Sequence, residues 1–180
     1  MRESYMDMQV LDNRHFYLIN CLRQIDAENP VDLSTLDKRV EFQKKIYLLK
    51  SLGLPLDYSF GSYIKGPYSS SLTQIGFEIY ESPKKAIPKK LNSIAPIKKE
   101  DLKKIDVLKK LISAIPREKT HAYWLELISS LHFLLTQAYP PVNGIDAARS
   151  RLKIWKSNKF LDEDIEIALD LMKKFELIKK

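Results

Sequence analysis

The run from His121 to Tyr139 constrains the fold of this 180-residue chain more than any other segment. It is the most apolar stretch, it follows Thr120, which can cap a helix, and it closes on Pro140-Pro141, which cannot continue one. That pattern predicts a central helix on which the other elements pack. The chain holds only five glycines, which argues against a β-sandwich or a Gly-rich nucleotide-binding sheet, while 44% apolar residues support a proper core. No uninterrupted apolar run approaches the roughly 20 residues of a membrane span, and the first residues carry no signal-peptide pattern. With Cys21 as the single cysteine, read as a small core residue, no internal disulfide forms. These features predict a cytoplasmic protein without a membrane partner.

The remaining elements follow from caps, periodicity and breakers. A first helix is expected from about Arg14 to Glu28, capped by Asp12 or Asn13 and ended by Asn29-Pro30. A second starts at Ser34, in a capping-box-like Ser34-Thr35-Leu36-Asp37, and runs to Leu52 before Gly53 and Pro55. Between Tyr58 and Lys65 the rhythm changes to a period of two, which reads as a short strand broken by Gly66-Pro67. Ser69 or Ser70 caps the next helix. A lysine-bearing connection with Pro83, Pro88 and Pro96 is expected to hold a loop or a second short strand near Ala86–Ile87. Further helices are expected over Lys99–Ala114, through Trp155 from a cap at Asp146, and after a cap at Asp162, the last with acidic residues in its first turn and Lys173-Lys174 near its end. The fold class is therefore mainly α with a small β-hairpin. The domain reading is an N-terminal tail over 1–12 and one domain over 13–180.

Charge is unevenly distributed. Residues 84–119 carry 12 Lys or Arg against 4 Asp or Glu, whereas the rest carries 18 against 19. A local excess of that kind suggests a polyanionic or acidic partner. Lys99, Lys103 and Lys110 fall on one helix face, and Lys84, Lys85, Lys89 and Lys90 precede it, so these seven are the candidate nucleic-acid contacts. The alternative is a solvated lysine face that contacts nothing. Aromatic residues of the kind that stack single-stranded bases are missing until Tyr123 and Trp124.

No catalytic set emerges. His121 and His132 share a helix face but lie about 16 Å apart along its axis, with Glu126 pointing about 140° from His121. That spacing does not suit one metal ion. Ser130, His132 and Glu126 do not form a triad, because His132 is not beside the other two, and no Gly-rich phosphate loop exists. No metal, no cofactor and no enzymatic activity are expected. Glu126, flanked by Leu125, Leu127 and Ile128, demands a buried partner or a cleft to face. On the second helix Arg39, Gln43 and Lys50 form a polar seam within the apolar half that carries Leu36, Phe42, Ile46, Tyr47 and Leu49. We expect Gln43 to bond backbone of the adjacent strand and Arg39 to pair with Glu126.

The segment Gln43-Lys44-Lys45-Ile46-Tyr47-Leu48, followed by Tyr63-Ile64-Lys65-Gly66-Pro67-Tyr68-Ser69, resembles the YwgA-like family and, more distantly, the Panacea domain of SocA-like antitoxins. Trp124-Leu125-Glu126-Leu127-Ile128-Ser129-Ser130-Leu131-His132 looks like a second signature of that family. The resemblance implies a winged-helix-like helical domain. It also implies a non-enzymatic regulatory role in a defence, mobile-element or toxin–antitoxin context. Two functions are expected from this reading. The first is nucleic-acid binding through the basic segment. The alternative is an antitoxin or proteolysis adaptor that binds a partner protein through Arg39, Gln43, Tyr63, Gly66, Pro67, Tyr68 and Glu126; the same corner motif could also be purely structural.

Overall fold

A computed structural model describes residues 11–178, and the chain is mainly α. Eight α-helices lie among the described residues: α1 (Asn13–Arg23), α2 (Leu36–Ser51), α3 (Ser70–Glu81), α4 (Leu91–Ile94), α5 (Lys99–Ala114), α6 (His121–Thr136), α7 (Ile145–Trp155) and α8 (Asp162–Lys174). Residues 1–10 of the expected tail lie outside the described residues. Leu11 is buried in the core, and Asp12 caps α1 by accepting from the N–H groups of Arg14 (2.9 Å) and His15 (3.3 Å).

Helix α6 is the hub. It is buried on almost every side from Ala122 to Leu134 and packs against α2, α7 and α8. Thr120 caps it, the hydroxyl accepting from Tyr123 N at 3.2 Å. Helix α2 lies between α6 and α5, and Thr35 rather than Ser34 caps it. It stops where Gly53 adopts φ +91° and Leu54 N–H reaches back to Leu49 O at 3.1 Å. Helix α4 packs on α1, where Asn20 Nδ2 donates to Asn92 Oδ1 (2.8 Å) and Ala95 O (2.9 Å).

Several boundaries differ from expectation for identifiable reasons. Helix α1 ends at Arg23, not Glu28, because the Asp26 carboxylate takes the N–H groups of Glu28 (3.2 Å) and Asn29 (3.1 Å) and diverts the backbone. Of the loop or second short strand expected near Ala86–Ile87, no strand forms, and Lys84–Ala86 is a 3-10 turn. Helix α7 starts after Gly144 at φ +89°, with Asp146 in its first turn and not at its cap.

The largest difference concerns Tyr58–Lys65. No strand forms there, and none forms among the other described residues. Gly61 and Tyr68 make one isolated antiparallel bridge, exchanging N–H···O bonds of 3.0 and 2.9 Å. The alternation of buried and exposed side chains lies earlier, at Leu54, Leu56 and Tyr58, while Ile64 is 74% exposed. Without a neighbouring strand, carbonyls of this segment need other donors. Three lysines supply them: Lys50 Nζ donates to Tyr58 O (2.5 Å), Lys156 Nζ to Ile64 O (2.6 Å) and Lys44 Nζ to Pro67 O (2.7 Å). The 58–68 segment is thus held from α2 on one side and from the end of α7 on the other.

Candidate functional site

The corner residues build a cleft between α2, α3 and the 61–68 loop, with a volume of about 360 Å³. Its walls are apolar, from Leu33, Val40, Phe42 and Phe77, with Leu36 at the exposed rim. Phe42 is seated by Gly76 of α3, where an added Cβ would stand 2.7 Å from the ring. Tyr63 and Tyr68 line the loop side, their ring centroids 5.0 Å apart.

Gln43 does bond backbone, but at the cap of α3 rather than on a strand. Its Nε2 donates to Ser69 O (2.9 Å) and its Oε1 accepts from Ser69 N–H (3.0 Å). The same Nε2 donates to Thr73 Oγ1 (2.7 Å), and Thr73 Oγ1 lies 2.9 Å from the Tyr68 hydroxyl. Thr73 Oγ1, which carries one proton, also lies 3.2 Å from Ser69 O, so the Tyr68 hydroxyl accepts from Thr73 when that proton points to it and donates to Thr73 when it points to Ser69. Arg39 is not the partner of Glu126. Its Nε donates to Leu33 O (2.9 Å) and its guanidinium lies 5.7 Å from the centroid of Phe77. The terminal nitrogens of Arg39 have no partner among the described residues.

Lys44 lines the cleft although it is only 1% exposed. No carboxylate bonds it, and burial, reinforced by the nearby Lys156, pushes its ammonium down to about 7 while Glu126 pulls the other way. Beside it Gly66 turns the chain at φ +90°, in a conformation that favours glycine. A Cβ there would stand 2.6 Å from Ser130 Oγ, a buried hydroxyl with no hydrogen-bond partner among the described residues, and 3.5 Å from Lys44 Nζ. Pro67, also buried, places the carbonyl that Lys44 holds.

Glu126 lies outside the cleft and is clamped by two lysines that sequence reasoning missed. Oε1 accepts from Lys156 (3.2 Å) and Oε2 from Lys159 (2.7 Å). Ser157 and Asn158 take φ +49° and +57° and turn the chain so that both lysines face the carboxylate. Burial pushes Lys156 down to about 8, although Glu126 opposes the shift. Glu126 therefore joins the site indirectly, since its partner Lys156 also holds Ile64 O. His132 is buried and bonded to the Tyr47 hydroxyl (2.8 Å), and burial pushes it down to about 4, whereas His121 is exposed.

The seven lysines of the basic segment are all exposed, but they are distributed over distinct elements. Lys84 and Lys85 lie in the 3-10 turn, Lys89 and Lys90 precede α4, and Lys99, Lys103 and Lys110 are on α5. Lys110 pairs with Asp106 (2.7 Å); the other six have no carboxylate partner among the described residues. In the same segment Lys104 binds Asp101 and Gly53 O (2.8 Å each), and Lys119 binds Asp164.

The sequence did signal one missed residue. Lys44 is four residues from Val40 and four from Leu48, on one buried stripe of α2, so it was bound to be covered. Lys65, Lys156 and Lys159 carried no such mark. Compared with family models, curated proteins and solved structures, the chain matches none.

Proposed function

We propose that the chain is a non-enzymatic interaction module that engages a partner protein through the cleft beside the Gly66-Pro67-Tyr68 corner. The observation that carries this reading is the cleft itself: an open, apolar-walled site of about 360 Å³ built from the residues of the corner motif. Binding is favoured over catalysis by the state of the chemically able groups. Ser130 is buried under Gly66, His132 is buried against Tyr47, and Glu126 is held between two lysines. The resemblance to YwgA-like and Panacea domains supports an antitoxin- or adaptor-like role, and the winged-helix-like architecture it implies belongs to the same proposal.

A photo-crosslinking amino acid at Leu36, on the cleft rim, tests this against the same reagent at Lys85. In native extract the Leu36 probe is expected to capture a protein that the Lys85 probe does not, and Tyr63→Ala is expected to remove the product. Equal capture at both positions overturns the reading.

A second reading, nucleic-acid binding through residues 84–110, is favoured by one observation: six exposed lysines without a carboxylate partner among the described residues. Gel shifts at several salt concentrations test it. Affinity is expected to fall as salt rises, and Lys84, Lys85, Lys89 and Lys90→Glu together should abolish it. No shift at low salt removes this reading.

A further inference from the structure

We propose that the cleft selects an acidic segment of its partner in which a carboxylate stands beside a large apolar side chain. This rests on the proposed role of the cleft and adds the chemistry of its occupant. The argument is charge complementarity. Arg39, Lys44 and Lys65 line the cleft, and no Asp or Glu does. Arg39 uses Nε on Leu33 O and keeps its two terminal nitrogens, a fork suited to both oxygens of one carboxylate. Lys44 lines the cleft from a nearly buried position and already donates to Pro67 O. The Tyr68 hydroxyl also lines the cleft and can donate when Thr73 donates to it. Every one of these groups gives hydrogen bonds, so a neutral acceptor satisfies them less well than an anion.

The apolar requirement comes from the walls. Phe42, Phe77 and Val40 give the same cleft an aromatic and aliphatic lining. A bare anion leaves that slot in water, and a bare apolar side chain leaves the cations unmatched. An occupant carrying both groups on neighbouring residues meets both surfaces. Double-stranded nucleic acid presents phosphates while its bases stay stacked inside, so it offers this slot no apolar anchor, which favours a peptide over a duplex.

The test uses the full chain and short blocked peptides. Acetyl-Ser-Phe-Glu-Ser-amide, its Phe-Gln counterpart and its Ala-Glu counterpart are titrated against isotope-labelled protein by NMR. The Phe-Glu peptide is expected to shift backbone amides of residues 39–44 and 63–73. The Phe-Gln and Ala-Glu peptides are each expected to bind at least tenfold more weakly. Arg39→Glu is expected to lower affinity for Phe-Glu at least tenfold and to leave the Phe-Gln peptide unaffected. Because that variant could fail to fold, salt dependence in the unaltered protein is a second readout, with Phe-Glu affinity falling between low and high salt.

Equal affinity for Phe-Glu and Phe-Gln overturns the inference, as does a shift pattern centred on residues 84–110. If the Leu36 probe still captures a protein in either case, the cleft remains a partner site and only its chemistry is wrong. If neither the peptides nor the probe engages the cleft, both readings fall.

Discussion

Lys44 and Lys156 lie beneath the 61–68 loop, buried, each donating to a loop carbonyl. Lys84, Lys85, Lys89 and Lys90 project into solvent from a turn and a short connection. The two groups carry the same side chain and nearly opposite energetics. A buried ammonium loses most of its hydration and must recover it from fixed acceptors, so its position is tied to the fold. An exposed ammonium keeps its water and is free to meet a ligand, but adds little to stability. Counting charge along the sequence finds both groups and does not tell them apart. The cations that shape the candidate site come from stretches that are just as basic: residues 38–50 hold five Lys or Arg against one Glu, and residues 149–159 hold five against none.

The largest effect is expected from removing the buried counter-charge. Glu126→Ala leaves Lys156 buried beside no carboxylate, and is expected to cost about 3–5 kcal/mol in chemical denaturation. A loss below about 1 kcal/mol would place the clamp with ordinary surface pairs. Next is Gly66→Ala, which combines a left-handed backbone with a contact onto Ser130 Oγ. It is expected to cost about 2 kcal/mol, and Ser130→Ala in the same chain should recover part of that loss. Ser130→Ala alone should be neutral or stabilising, because the hydroxyl it removes has no partner among the described residues.

Titration sharpens the contrast further. Unfolded, both buried amines hold their protons to about their ordinary value of 10.5; folded, Lys44 releases its proton near 7 and Lys156 near 8. Between these values the unfolded chain binds more protons, so stability is expected to rise as pH climbs from about 7 to 9. Lys44→Met should flatten that rise in thermal melts across the window. The smallest effect belongs to the exposed group. Each of Lys84, Lys85, Lys89 and Lys90 changed to Glu is expected to shift stability by no more than about 0.5 kcal/mol.

What the sequence disclosed follows from how local each cause is. Helix α5 was legible at both ends, because its periodic apolar positions and Pro116 act within one segment. The bond from Gln43 to backbone was legible in kind, because a polar residue on a buried face has few options. The need of Glu126 for a partner was equally clear, yet its partners were not. Lys156 and Lys159 reach it only because two residues with positive φ turn the chain after α7, and that turn depends on how α7 packs on α6. The strand expected over Tyr58–Lys65 failed for a related reason. Alternation is a property of extended backbone, and extended backbone becomes a strand only when a neighbour pairs with it. Here lysine ammoniums take the place of that neighbour.

The three lysine contacts to Tyr58, Ile64 and Pro67 also bear on protein engineering. Anyone grafting residues 58–68 onto another scaffold would move the loop without its moorings, which are anchored in α2 and just past α7. A successful transplant would have to carry those distant amines along with the loop, so the portable unit is a three-part assembly, not a contiguous peptide.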